Sequence, residues 1–135
     1  QLTQWPIQLH LINPVSQSYQ SADLLLAADC TAFAMDYFRN LLKGKSLAIA
    51  CPKLDSNMEI YTEKITSMID DSKINTLTVM IMEVPCCGGL LKIAQTAIQQ
   101  AERKIPLKLM VVGIRGDIIN EQWIMDNGEW IINNK

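Results

Sequence analysis

All four cysteines of the chain fall just after apolar runs rich in strand-forming residues. Cys30 closes the run Ala22-Asp23-Leu24-Leu25-Leu26-Ala27-Ala28-Asp29, Cys51 closes Ser46-Leu47-Ala48-Ile49-Ala50, and Cys86-Cys87 close Thr78-Val79-Met80-Ile81-Met82-Glu83-Val84-Pro85. Thiolates are soft ligands that suit iron-sulfur clusters and zinc, and four of them complete the protein ligation of either. If the runs are parallel strands, their carboxyl ends share one edge of a sheet, where open α/β sheets hold their ligands. Thiols far apart in sequence then converge.

The flanking residues fit the same chemistry. Gly88 and Gly89 remove side chains where backbone must approach an inorganic core, and they open a helix whose free N–H groups favour negative charge. Pro52 and Pro85 stiffen the loops. The expected site is therefore Cys30, Cys51, Cys86 and Cys87 as metal ligands, with Gly88 and Gly89 against the cofactor. Any one of these cysteines alone reads as a small buried hydrophobe. Three strands ending the same way favour convergence. An even cysteine count also permits two disulfides, but strand-helix alternation without a secretory segment favours metal or redox use. Other candidates are weaker. His10 reads as a hydrogen-bonded core or rim residue, Lys53 as a solvated lysine, and Asp29 and Asp55 as turn or capping residues.

The elements that must position these cysteines are read from periodicity. Ile7 to Ile12 alternates as a first strand, closed by Asn13-Pro14. Asp23 to Ala28 is a short apolar run suited to a strand covered on both faces. Phe33 to Lys43 has helical spacing and is stopped by Gly44. Leu47 to Ala50 is the next strand, followed by a helix capped by Asp55 or Ser56 that carries Ile60, Lys64, Ile65, Met68 and Ile69. Thr76 to Met82 reads as a strand, Leu90 to Arg103 as a helix, and Leu107 to Ile114 as the last strand. The order β-β-α-β-α-β-α-β predicts an α/β fold, a three-layer Rossmann-like or flavodoxin-like domain with a mainly parallel sheet of four or five strands and helices on both faces. Residues 1–118 form this unit, and 119–135 a tail in which Glu121 to Met125 reads as a helical turn and Glu129 to Ile132 as a short edge strand.

Composition excludes several classes. With 135 residues, 49% hydrophobic and 19% charged, the chain has enough apolar residues for one folded domain. A net charge of -2 with scattered Lys and Arg gives no basic patch for nucleic acid. No apolar stretch approaches the roughly 20 residues of a membrane-spanning helix, and without a signal peptide the cytoplasm is the expected location. The opening Gln1 is what a piece of a longer protein would show. A single histidine leaves little room for a Ser-His or Cys-His catalytic system, and there is no Gly-x-Gly-x-x-Gly or Walker pattern.

At Trp5-Pro6-Ile7-Gln8-Leu9, at Ala22 through Cys30, at Cys51-Pro52-Lys53-Leu54-Asp55 and at Glu83-Val84-Pro85-Cys86-Cys87-Gly88-Gly89-Leu90, the chain resembles the C-terminal domain of ferredoxin-like 4Fe-4S proteins of anaerobic bacteria and archaea. The resemblance runs from Trp5 to about Ile118. It implies an iron-sulfur electron-transfer module that works with a ferredoxin-type domain or another redox protein. The N-terminal Cys-x-x-Cys-x-x-Cys segment of that family is missing, so any cluster here uses the four cysteines named above. Two alternatives come from other classes: a structural four-cysteine zinc domain serving as an interaction platform, and a vicinal-thiol redox or enzymatic site at Cys86-Cys87.

Overall fold

The computed structural model describes residues 5–31, 38–51, 58–83, 88–126 and 129–130. Its centre is β1 (Asp23–Ala28), whose residues Leu24 to Ala28 are all buried. A run of this kind, apolar at every position, suits a strand with neighbours on both sides and cover on both faces. β1 pairs in parallel with β2 (Lys45–Ala50) on one side and β3 (Thr76–Met82) on the other. β4 (Leu107–Val112) extends the sheet in parallel from β3, with Leu77 opposite Leu107 and Met82 opposite Val112. The four expected parallel strands are therefore present.

Beyond β4 the structure departs from the sequence reading. Residues expected to form a helical turn lie in β5 (Ile118–Asp126), antiparallel to β4, and β5 pairs in turn with β6 (Glu129–Trp130). Among the described residues the sheet has six strands in the order β2-β1-β3-β4-β5-β6. The Lys108 ammonium reaches across to the Glu121 carboxylate at 2.5 Å and lies 5.5 Å from the centre of the Trp123 ring. Cross-strand pairs of this kind help hold a mostly exposed strand in register.

Among the described residues, three α-helices connect the parallel strands: α1 (Phe38–Leu41), α2 (Met58–Asp70) and α3 (Gly88–Gln100). Gly44, at φ +73°, takes the left-handed conformation that ends the chain's run from α1 into β2. α2 buries Tyr61, Ile65, Met68 and Ile69, and α3 buries Leu90, Ala94, Ala97 and Ile98, each a stripe at helical spacing. α2 and α3 pack against each other, and α3 also against β3. The expected caps Asp55 and Ser56 lie outside the described residues.

The expected first strand is also corrected. Only Gln8 bridges to β2, opposite Ile49, and the chain then turns into a 3-10 helix over Leu9–Leu11. The cause is local. The Gln8 side-chain oxygen accepts from the His10 amide at 2.7 Å and caps the turn. Lys64 on α2 then donates to the carbonyls of Leu9, His10 and Ile12 at 3.0, 2.6 and 2.8 Å, groups that a sheet neighbour would otherwise have taken. Burial pushes the Lys64 pKa below its ordinary value, while three acceptors around one ammonium offset part of that desolvation.

Candidate functional site

The carboxyl edge of the sheet is where the cysteine-bearing segments leave it. The ladder between β1 and β2 ends with Ala28 opposite Ala50, and the Asp29 amide adds one bond to the Ala50 carbonyl at 3.1 Å. Cys51 follows Ala50 directly, and Cys30 lies one residue beyond that last bond. The two cysteines emerge from adjacent parallel strands at nearly the same level. Cys30 is exposed and Cys51 half-buried.

Past Cys30 the chain turns sharply. Thr31 is fully buried, and its hydroxyl donates to the Ala28 carbonyl at 2.8 Å, closing the turn that presents Cys30. β3 leaves on the other side of β1. Its end is tied to the turn after β4: the Glu83 amide donates to the Val112 carbonyl at 2.9 Å, and the Glu83 carboxylate accepts from the Ile114 amide at 3.0 Å. Cys86 and Cys87, three and four residues farther on, lie outside the described residues. Among the described residues no three His, Cys, Asp or Glu side chains gather as a metal-binding group. Half of the expected ligand set is not among them.

What the topology adds is a shared location. The strand order reverses at β1, which steps to β2 on one side while the chain later continues to β3 and β4 on the other. The crevice between the carboxyl ends of β1 and β3 is the topological switch point, the position at which doubly wound folds bind ligands. Cys30 follows one of these strands and the Cys86-Cys87 pair the other.

The strand ends before Cys30 and Cys51 are Ala28 and Ala50, both small and buried. α3 begins at Gly88, Gly89 is exposed, and the first turn carries no acidic side chain. Its unpaired N–H groups therefore meet no competing carboxylate of their own helix. Sequence reasoning missed Thr31, Glu83 and Lys64. Their partners are backbone atoms, and for Glu83 and Lys64 these lie 31 and more than 50 residues away, so periodicity carries no sign of them.

A family model described as a Rossmann-like domain matches residues 16–134. The chain is also 25% identical, over 118 residues, to an uncharacterized protein of Archaeoglobus fulgidus, covering 87% of this chain and 83% of that one. No solved structure matches. No helix among the described residues is long and apolar enough to cross a membrane.

Proposed function

The chain belongs to the Rossmann-like domain family, and on that premise we propose that it is a redox module holding one 4Fe-4S cluster on Cys30, Cys51, Cys86 and Cys87. The observation that carries this reading is the strand order β2-β1-β3, all parallel, which sends the three cysteine-bearing segments off adjacent strands at a single edge. Four thiolates are the donor set such a cluster takes, and zinc is the other ion that four thiolates suit. When bound, the cluster supplies one-electron transfer.

The chain's own residues set the conditions for that chemistry. Thr31 and Glu83 fix the strand exits from which two of the ligand segments depart. α3 starts at Gly88 and Gly89 with no acidic residue in its first turn, and a helix N-terminus of that kind favours the negative charge that a thiolate-ligated core would carry. Cys30 is exposed, which favours a short path for an electron to a docked ferredoxin-type domain or redox protein.

The deciding experiment is oxygen-free purification followed by metal and acid-labile sulfide analysis. The expected result is brown protein with about four iron and four sulfide per chain, lost on Cys51→Ser substitution. Colourless protein with stoichiometric zinc would replace this reading with a structural zinc domain. Absence of both metals from oxygen-free protein would overturn ligation by these cysteines altogether.

A further inference from the structure

Segment Ile7–Ile12 touches both elements that flank Cys51. On one side the Ile49 amide donates to the Ile7 carbonyl at 2.8 Å, two residues before Cys51, where Gln8 bridges to β2. On the other side the segment is fastened to α2, the first described element after Cys51. The Gln8 side-chain amide donates to the Tyr61 hydroxyl at 3.0 Å, the His10 and Tyr61 rings sit 4.3 Å apart, and the Lys64 ammonium holds three consecutive-turn carbonyls. β2 ends at Ala50 and α2 begins at Met58. The segment thus spans the two stems between which Cys51 sits.

We infer that residues Ile7–Ile12 act as a brace across the stems of the Cys51 segment, and that Lys64 and Tyr61 are positioning residues for the Cys51 thiolate. The inference rests on Cys51 being a metal ligand, but its mechanical part does not. A stem held in place restricts where Cys51, the residue directly after Ala50, carries its sulfur. A ligand whose position is fixed before the metal arrives loses less conformational entropy on binding. Lys64 is the strongest fastener, because bonds from a charged donor exceed neutral ones. It acts through the segment's backbone rather than by touching the metal.

The test uses the full chain, reduced and metal-free, with cysteine alkylation followed residue by residue by mass spectrometry and amide exchange read at Ile49. In Lys64→Met, loss of the charge-assisted bonds should raise the open population of the brace about tenfold. Ile49 exchange and Cys51 alkylation should accelerate together by that factor, while Cys30, outside the braced stems, stays within about twofold. Lys64→Arg keeps several charged donors and should remain near wild type. If Lys64→Met fails to fold, Tyr61→Phe removes the hydroxyl that accepts from the Gln8 side-chain amide and should produce about a threefold acceleration of the same two signals.

Faster Ile49 exchange with unchanged Cys51 alkylation would overturn the brace, as would equal acceleration at Cys30. The two readings fail separately. Wild-type chain without iron or zinc would remove Cys51 as a ligand and leave the alkylation result standing, whereas metal-loaded wild type with an unresponsive Cys51 in Lys64→Met would remove the brace alone.

Discussion

Asp70 closes α2 and holds the chain just beyond α3. Its carboxylate accepts from the Glu102 amide, at 3.1 Å to each oxygen, and from the Arg103 amide at 2.9 Å. The Arg103 guanidinium returns the tie by donating to the carbonyls of Ile69 and Ile74 at 2.6 and 3.2 Å. Asp70→Ala leaves two amides without these acceptors. A hydrogen bond to a charged partner contributes about 1.5–3 kcal/mol. Glu102 is exposed and Asp70 only half-buried, so water replaces part of the loss and a net cost of about 1.5 kcal/mol is expected. At about 2.1 cal/mol/K per residue the chain has an unfolding entropy near 0.28 kcal/mol/K, so Tm should fall by about 5 °C. Asp70→Asn keeps one oxygen acceptor and should recover about half of that. The tie sits at the amino edge of the sheet, where α2 and α3 end before leading into β3 and β4, a full strand length from the cysteines. Metal content per folded chain should therefore be unchanged in Asp70→Ala. Thermal unfolding followed by circular dichroism, with metal analysis on the same samples, checks both parts. A Tm shift below about 1 °C would refute the energetic assignment, and loss of metal from the folded variant would refute the separation of the two edges.

Further outcomes follow from the same structure. Leu26→Ala, at a fully buried position of the central strand, should cost about 3 kcal/mol in urea unfolding. Tyr19→Phe removes the hydroxyl that donates to the Leu47 carbonyl at 2.9 Å and should cost about 1 kcal/mol in the same assay. If the proposed cluster is bound, its oxidative removal should leave the far-ultraviolet circular dichroism unchanged, because the core contains the Leu, Ile, Val and Met side chains of β1, β3, β4, α2 and α3 and does not depend on a metal. Because β1 neighbours both β2 and β3, Cys30→Ser should retain less cobalt than Cys51→Ser in a spectroscopic titration; the reverse order would contradict a site centred on β1.

The parts of this fold legible in the sequence are those whose stability is local or whose burial is complete. β1 and β3 are continuous apolar runs, and their sequence-read limits, Asp23 to Ala28 and Thr76 to Met82, are those of the structure. The stripes on α2 and α3 appear at helical spacing for the same reason. Ile7 to Ile12 misleads because its apolar residues alternate like a strand, whereas Gln8 and Lys64 capture the backbone groups that would have formed one. β5 was obscured by composition: most of it is exposed, and it is ordered by pairing with β4 and by the Lys108 contacts, none of which a local window contains. For the candidate site, the sequence shows which residues bear thiols. It does not show Thr31, Glu83 or Lys64, whose work is done on backbone atoms.

Strand order, more than cysteine spacing, gives the edge its chemical possibilities. Spacings of 21 residues from Cys30 to Cys51 and 35 from Cys51 to Cys86 are compatible with many topologies, and in most of them at least one thiol would depart from a distant strand. Here β1 lies between the other two, so neighbouring strands at about 4.8 Å place the carboxyl ends of β2 and β3 within roughly 10 Å of each other, with the end of β1 between them. A direct path from β2 to β3 has to cross the end of β1. Ala28 and Ala50 pair across the last rung of β1 and β2, and the turn closed by Thr31 carries Cys30 at the end of β1. Under the proposed ligation the end of β1 is therefore the centre of the site, because it is the one strand end adjacent to both of the others.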